Sequence, residues 1–184
     1  MDPLRHIRLM AQYNQWMNAK LYETAAKLSR EELEKDRGAF FGSLLGTLNH
    51  IMVGDIIWLK RLGTHPAGHR SLEAVRLRAQ PSALNEILHR NFAGLAEERT
   101  GLDTTIRSWT AELTHADLDH VLEYRNMKGV SQRKLFGTLV LNLFNHQTHH
   151  RGQATTLLSQ AGLDVGVTDL LALIPEEPAG SQSG

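Results

Sequence analysis

The stretch Leu143-Phe144-Asn145-His146-Gln147-Thr148-His149-His150-Arg151-Gly152-Gln153 sets two histidines four residues apart inside a run of helical apolar period. In a helix, His146 and His150 stand one turn apart on the same face. At about 100° per residue that face also carries Leu135, Leu139, Leu143, Ala154 and Leu157, the buried side of an amphipathic helix. His149 falls instead with Thr138, Asn142, Asn145 and Thr156 and faces outward. Two imidazoles on a mostly apolar face have to be hydrogen-bonded or metal-bound, because a buried polar group left unpaired costs about 1–3 kcal/mol.

The rest of the chain reads as further helices around this one. A first long helix is expected from Pro3 to about Leu28, with apolar residues at Leu9, Tyr13, Trp16, Met17 and Leu21 and a proline suited to a first turn. Ser29-Arg30-Glu31-Glu32 resembles a capping box leading into a short helical turn, which Gly38 and Gly42 then interrupt. A second long helix starts near Ser43 and is apolar around most of its circumference, through Leu48, Ile51, Ile56, Ile57, Leu59 and Leu62. A helix of that kind is buried on more than one side, at the centre of a bundle or at a subunit interface. Gly63-Thr64-His65-Pro66-Ala67-Gly68-His69 reads as loop, and a third helix is expected from about Ala83 to Leu113.

Between His115 and Lys134 the pattern changes to that of a short hairpin or irregular excursion, before a fourth helix from about Arg133 to Gln160 that ends at Gly162. The fold class that follows is all-α, a four-helix bundle with that excursion before the last long helix. Asp169 to Ile174 is expected to pack back on the bundle, giving one domain over residues 1–174 and a disordered tail over 175–184. No internal repeat is visible.

Composition removes several function classes. Lys plus Arg and Asp plus Glu both total 20, so the net charge is zero and a general nucleic-acid binder is not expected. With no cysteine, disulfides, thiolate metal sites and a cysteine nucleophile are excluded, and any metal must sit on His, Asp or Glu. The charged start Met1-Asp2-Pro3-Leu4-Arg5-His6 is unlike a secretory signal, and no apolar run is long enough to span a membrane, so a cytoplasmic protein is the expectation.

Two histidines at this spacing are half of a metal site, since catalytic ions generally take three protein ligands and leave positions open. His50 interrupts the apolar run of the second long helix and is the best third candidate, set against the alternative of hydrogen-bonded core histidines. A zincin protease is not expected, because no glutamate follows His146. A ferritin-like di-iron centre needs two Glu-x-x-His motifs, and only Glu86-Ile87-Leu88-His89 has that form in a predicted helix.

Tyr13-Asn14-Gln15-Trp16-Met17-Asn18, then His50 followed by Trp58-Leu59 and Leu62, then Asn145-His146 with His149-His150-Arg151-Gly152-Gln153, together resemble the DinB/YfiT-like metalloenzyme family. The resemblance runs in order over nearly the whole chain. It implies a four-helix bundle with a divalent metal at one end, held by one histidine of the second helix and a His-x-x-x-His pair of the last. Matched residue by residue, the metal ligands are His50, His146 and His150. Zinc is the first expectation, with nickel or iron as alternatives.

Relatives implied by the resemblance include mycothiol-dependent maleylpyruvate isomerase and bacillithiol transferases. The expected function is therefore a divalent-metal-dependent transferase, isomerase or hydrolase that activates water or a low-molecular-weight thiol for a small-molecule substrate. Any thiol has to arrive as a cosubstrate. A homodimer is expected from the all-round apolar second helix and the resemblance. The alternative is a non-catalytic metal-binding stress-response protein; a DNA-repair role is disfavoured by the neutral charge.

Other conspicuous residues have structural readings beside functional ones. Pro66 and Gly68 prevent a helical face from joining His65 to His69, so a ligand role there is not expected. Asp55 reads as solvated or hydrogen-bonded structure, or as a general base. Arg151 reads as a surface ion pair or an anion clamp, Gly152 as a point of close helix approach, and Gln153 as a partner orienting an imidazole.

Overall fold

The computed structural model describes residues 2–176. Each long helix up to α5 begins at a side chain that satisfies the free N–H groups of its first turn. Asp2 accepts from the Leu4 N–H to open α1 (Pro3–Ala25). Ser29 Oγ accepts from the Glu32 N–H at 3.2 Å and starts the short α2 (Arg30–Glu34). Ser43 Oγ accepts from the Gly46 N–H at 3.0 Å to start α3 (Leu44–Leu62). After a 3-10 turn (Arg70–Leu72) comes α4 (Glu73–Leu77), and Asn91 caps α5 (Phe92–Glu112).

A capping box of Thr114 and Asp117 holds α6 (His115–Leu118). The expected excursion is an antiparallel hairpin of β1 (Val121–Arg125) and β2 (Ser131–Leu135), paired from Val121 opposite Leu135 to Arg125 opposite Ser131. Its turn uses Gly129 at φ 75°, a left-handed conformation that glycine adopts without a Cβ clash. α7 (Phe136–Gln160) follows directly, and a 3-10 turn (Leu170–Leu173) touches α1.

The four long helices α1, α3, α5 and α7 form the bundle. α1 packs on α5 and α7, α7 also packs on α3, and contacts between α3 and α5 close the ring. Leu21, Leu48, Leu59, Ile106, Trp109 and Phe144 are among the residues removed from solvent in the core. Burying each such side chain is worth about 1.5–3 kcal/mol. Leu122 of β1 joins that core, and Tyr124 sits against Trp58 with ring centroids 5.6 Å apart, which docks the hairpin on α3.

Three expectations need correction. The third long helix does not start at Ala83: the chain from Ala79 to Asn91 is an irregular strap. Its backbone is held by Asn49, which donates to the His89 carbonyl at 3.0 Å and accepts from the His89 N–H at 2.9 Å. The fourth helix starts at Phe136 because β1 takes Arg133, Lys134 and Leu135 into the hairpin, leaving Leu135 48 % exposed rather than on the buried face. The all-round apolar surface of α3 is covered within one chain, since every residue from Leu44 to Ile57 is buried. That surface is therefore no evidence for a subunit interface. Of the expected tail at 175–184, Pro175 and Glu176 are exposed without regular structure, and the rest lies outside the described residues.

Candidate metal centre

His50 on α3 meets His146 and His150 on α7 at one end of the bundle. The donor nitrogens of the three lie within 4.8 Å of one another. The helical spacing on α7 makes His146 and His150 neighbours with ring centroids 4.5 Å apart, and His50 approaches them at 5.2 and 4.3 Å. His50 is buried and the other two are half-buried, while His149 is exposed as its outward position on the helix requires.

The partners of these rings decide which nitrogen carries a lone pair. His50 Nδ1 lies 2.7 Å from the Leu84 carbonyl oxygen, which only accepts, so Nδ1 holds the proton. His150 Nδ1 lies 2.8 Å from Gln153 Oε1 and is fixed in the same tautomer. Each neutral ring then has its lone pair on Nε2, and these two Nε2 atoms face each other at 3.1 Å. Two lone pairs at that distance repel unless a cation lies between them.

A proton is poorly placed to be that cation. Burial lowers the pKa of all three histidines; the Leu84 and Gln153 bonds only partly offset this at His50 and His150. His146 is pushed down to about 4 by burial, with His150 and His50 adding to the shift. The cluster thus consists of neutral imidazoles whose donor nitrogens are close enough together to hold a metal ion. His146 Nδ1 is buried and has no hydrogen-bond partner among the described residues.

Sequence reasoning named the three histidines and missed most of what positions them. Gly54, one turn after His50 on α3, faces His146 so closely that a Cβ there would lie 2.4 Å from His146 Cε1. Phe41, ahead of α3, stacks on His50 with centroids 3.7 Å apart at 17° and meets His150 edge-on at 5.7 Å. Leu84 contributes a backbone carbonyl, which no side-chain pattern reveals. A glycine in the middle of a strongly apolar helix was the one available signal, since it costs about 0.5–1 kcal/mol relative to alanine.

The remaining candidates fall elsewhere. Asp55 is fully buried and bonds to Arg99 and Gln147, not to a histidine. Arg151 is buried rather than on the surface, donating to Asn14, Gln147 and Thr148. Gly152 faces solvent, where an added Cβ would meet nothing within 4 Å, so it serves no close helix approach. Gln153 accepts from His150 and donates to His149 Nε2 at 3.3 Å. His65 and His69 do come together, with Asp117, at the other end of the bundle.

Four long helices and a convergent histidine triad at one end define a helical-bundle protein with a candidate metal site. The chain belongs to the DinB family, whose family model matches residues 3–180. It is 24 % identical over 159 residues to Protein DinB of Bacillus subtilis, covering 86 % of this chain and 87 % of that one. Over 47 residues it is 47 % identical to the uncharacterized protein YrdA of the same organism, covering 26 % of this chain and 28 % of YrdA. A crystal structure of a DinB-like protein from Bacillus cereus superposes with a TM-score of 0.60 at 22 % identity, over 85 % of this chain and 91 % of that one. Among the described residues no helix is long and apolar enough to cross a membrane.

Proposed function

We propose that the protein is a cytoplasmic metal-dependent enzyme in which His50, His146 and His150 hold a divalent ion, zinc first and nickel or iron as alternatives. The observation that carries this reading is the pair of Nε2 lone pairs 3.1 Å apart, each aimed by a bond on the opposite ring nitrogen. An ion on three neutral imidazoles keeps its charge and open positions, so it acidifies a bound water or low-molecular-weight thiol and polarises a carbonyl.

The chain's own residues supply orientation and access. Leu84 and Gln153 lock two of the rings, Gly54 leaves room for the third, and Phe41 covers one side. A groove of about 250 Å³, lined in part by Arg37, Phe40, Gln153 and Leu157, meets the site through Gln153, the partner of His150. With no cysteine in the chain, the thiol is external and the reaction is a transfer, an isomerisation or a hydrolysis. A homodimer is the expected assembly. Light scattering at twice the chain mass supports it, and at the chain mass contradicts it.

Cobalt-loaded protein tests the enzyme reading. Adding a low-molecular-weight thiol should produce a thiolate-to-cobalt charge-transfer band in the wild type and none in His146→Ala. A visible spectrum indifferent to thiol and to small anions would mean a closed coordination sphere. The ion would then be a structural tie between α3 and α7, as in the non-catalytic alternative.

A further inference from the structure

A second histidine cluster lies at the opposite end of the bundle. His50 and the end of α3 are twelve residues apart, roughly 18 Å along the helix axis, so the two clusters share no ligand. After α3 the chain turns through Pro66 and Gly68, the latter at φ 64°, and folds His65 and His69 over the core, each only 6 % exposed. Their rings lie 5.1 Å apart at 26°, with Phe136 4.5 Å from His65 and Trp109 6.4 Å from His69. Asp117 reaches them from α6, placing Oδ2 3.4 Å from His69 Nε2 and Oδ1 3.9 Å from His65 Nδ1.

Hydrogen bonding alone leaves this cluster incomplete. His65 Nδ1, 3.1 Å from the Ala67 N–H and 3.9 Å from Asp117 Oδ1, is the lone-pair nitrogen of its ring, and a cation beside Asp117 would take that lone pair in exchange for the Ala67 contact. The other two ring nitrogens, His65 Nε2 and His69 Nδ1, are buried without a hydrogen-bond partner among the described residues, so no hydrogen bond on that side holds either ring. The 3.4 Å between His69 Nε2 and Asp117 Oδ2 is long for a charge-assisted bond, which is about 2.7–2.9 Å. It matches the edge of about 3.3 Å between two ligands of a tetrahedral ion with bonds of about 2.0–2.1 Å.

We propose that His65, His69 and Asp117 form a second divalent-cation site, with two imidazoles and one carboxylate as donors. Their donor atoms lie within 4.8 Å of one another, and all three residues are buried. His120, half-buried, packs its ring edge-on against that of His65 with centroids 4.6 Å apart. The burial closes the ion off from substrate, so its work is structural: it ties the turn after α3 to α6.

Zinc titration into the chelator-stripped full chain, by calorimetry at neutral pH, tests this. The wild type should take up two zinc ions, His146→Ala/His150→Ala one, and the same pair combined with His69→Gln none. One equivalent in the wild type that disappears in His146→Ala/His150→Ala overturns the proposal. One equivalent that survives there and disappears with His69→Gln supports this site and counts against the first, so the two failures are read separately. Zinc-soaked wild-type crystals give the same answer without a substitution. An anomalous peak about 2.0–2.2 Å from both imidazoles and the carboxylate supports the site, and its absence overturns it.

Discussion

Gly54 is the residue on which the metal centre is most sharply poised. Gly→Ala inside a helix ordinarily stabilises by about 0.5–1 kcal/mol. Here the new methyl would lie 2.4 Å from His146 Cε1 and 3.1 Å from Nδ1, and a ring cannot yield as the end of a flexible chain does. Gly54→Ala should lower zinc affinity at the histidine triad by about 10–100-fold, the range for changes that misplace a ligand, read by competition with a chromophoric chelator. Gln153→Ala should act similarly by freeing the His150 tautomer, and unchanged affinity in both variants would contradict the geometry described.

The same residues set an acid sensitivity in the metal-free protein. An unfolded histidine titrates near 6.5 and His146 in the fold near 4, so between these values the unfolded chain binds a proton that the folded chain does not. The contribution is full above about 6.5 and is lost as pH falls toward 4. Chelator-treated wild type should therefore lose urea stability across that window more steeply than His146→Gln; parallel losses would be inconsistent with the shift. Spacing set His146 and His150 on one face and marked His50 as a polar break in an apolar run, but it left hydrogen-bonded core histidines open; the three were joined into one set by the family resemblance. Gly54, Phe41 and the Leu84 carbonyl were not, because spatial proximity across elements leaves no periodic trace in one sequence.

Among elements, the strap from Ala79 to Asn91 shows why the third helix was misread. Leu84, Ile87, Leu88 and Phe92 have helical spacing, yet Leu84 is 50 % exposed and Ile87 40 % exposed. Asn49 replaces the helical bonding at His89, and the irregular backbone leaves the Leu84 carbonyl free for His50, where a helix would have claimed it. The departure from pattern thus coincides with the site.

A second inter-element feature is the charged layer across the bundle. Asn14 and Asn18 of α1 donate to Asp103 of α5 at 2.9 Å; Arg99 pairs with Asp103 at 2.8 Å and also with Asp55 of α3; Gln147 of α7 donates to Asp55 at 2.8 Å. Burial raises Asp55 to about 6 against the pull of Arg99, so the layer is costly to form and more costly to break. Asp103→Leu leaves Arg99 with Asp55 alone and removes the carboxylate acceptor of both asparagines, and should cost about 3–5 kcal/mol in urea unfolding. A loss below about 1 kcal/mol would show that the layer carries little of the stability. The Tyr13-to-Asn18 motif was legible as a signature, but its partners on α5 and α7 were not.

For the whole molecule, apolar core separates the two histidine clusters, and the buried layer is level with the first, Gln147 falling between His146 and His150 on α7. Removing metal should leave the four long helices in place, with far-UV circular dichroism nearly unchanged after chelation and a lowered thermal midpoint. Loss of most of the helical signal would instead mark a bundle that does not form without its ions. The bundle was legible from apolar periodicity and the hairpin from its change of pattern. The partnership of His65, His69 and Asp117 was hidden, because it joins a loop to a one-turn helix through tertiary contact alone.

The most direct measurement is the metal content of untagged wild-type protein and of His146→Ala, by plasma mass spectrometry on identically purified samples. The wild type should carry a first-row divalent metal, and the variant one equivalent per chain less. Equal contents, with no further ion taken up by the wild type at neutral pH, would make His50, His146 and His150 core residues and remove the basis for a metalloenzyme.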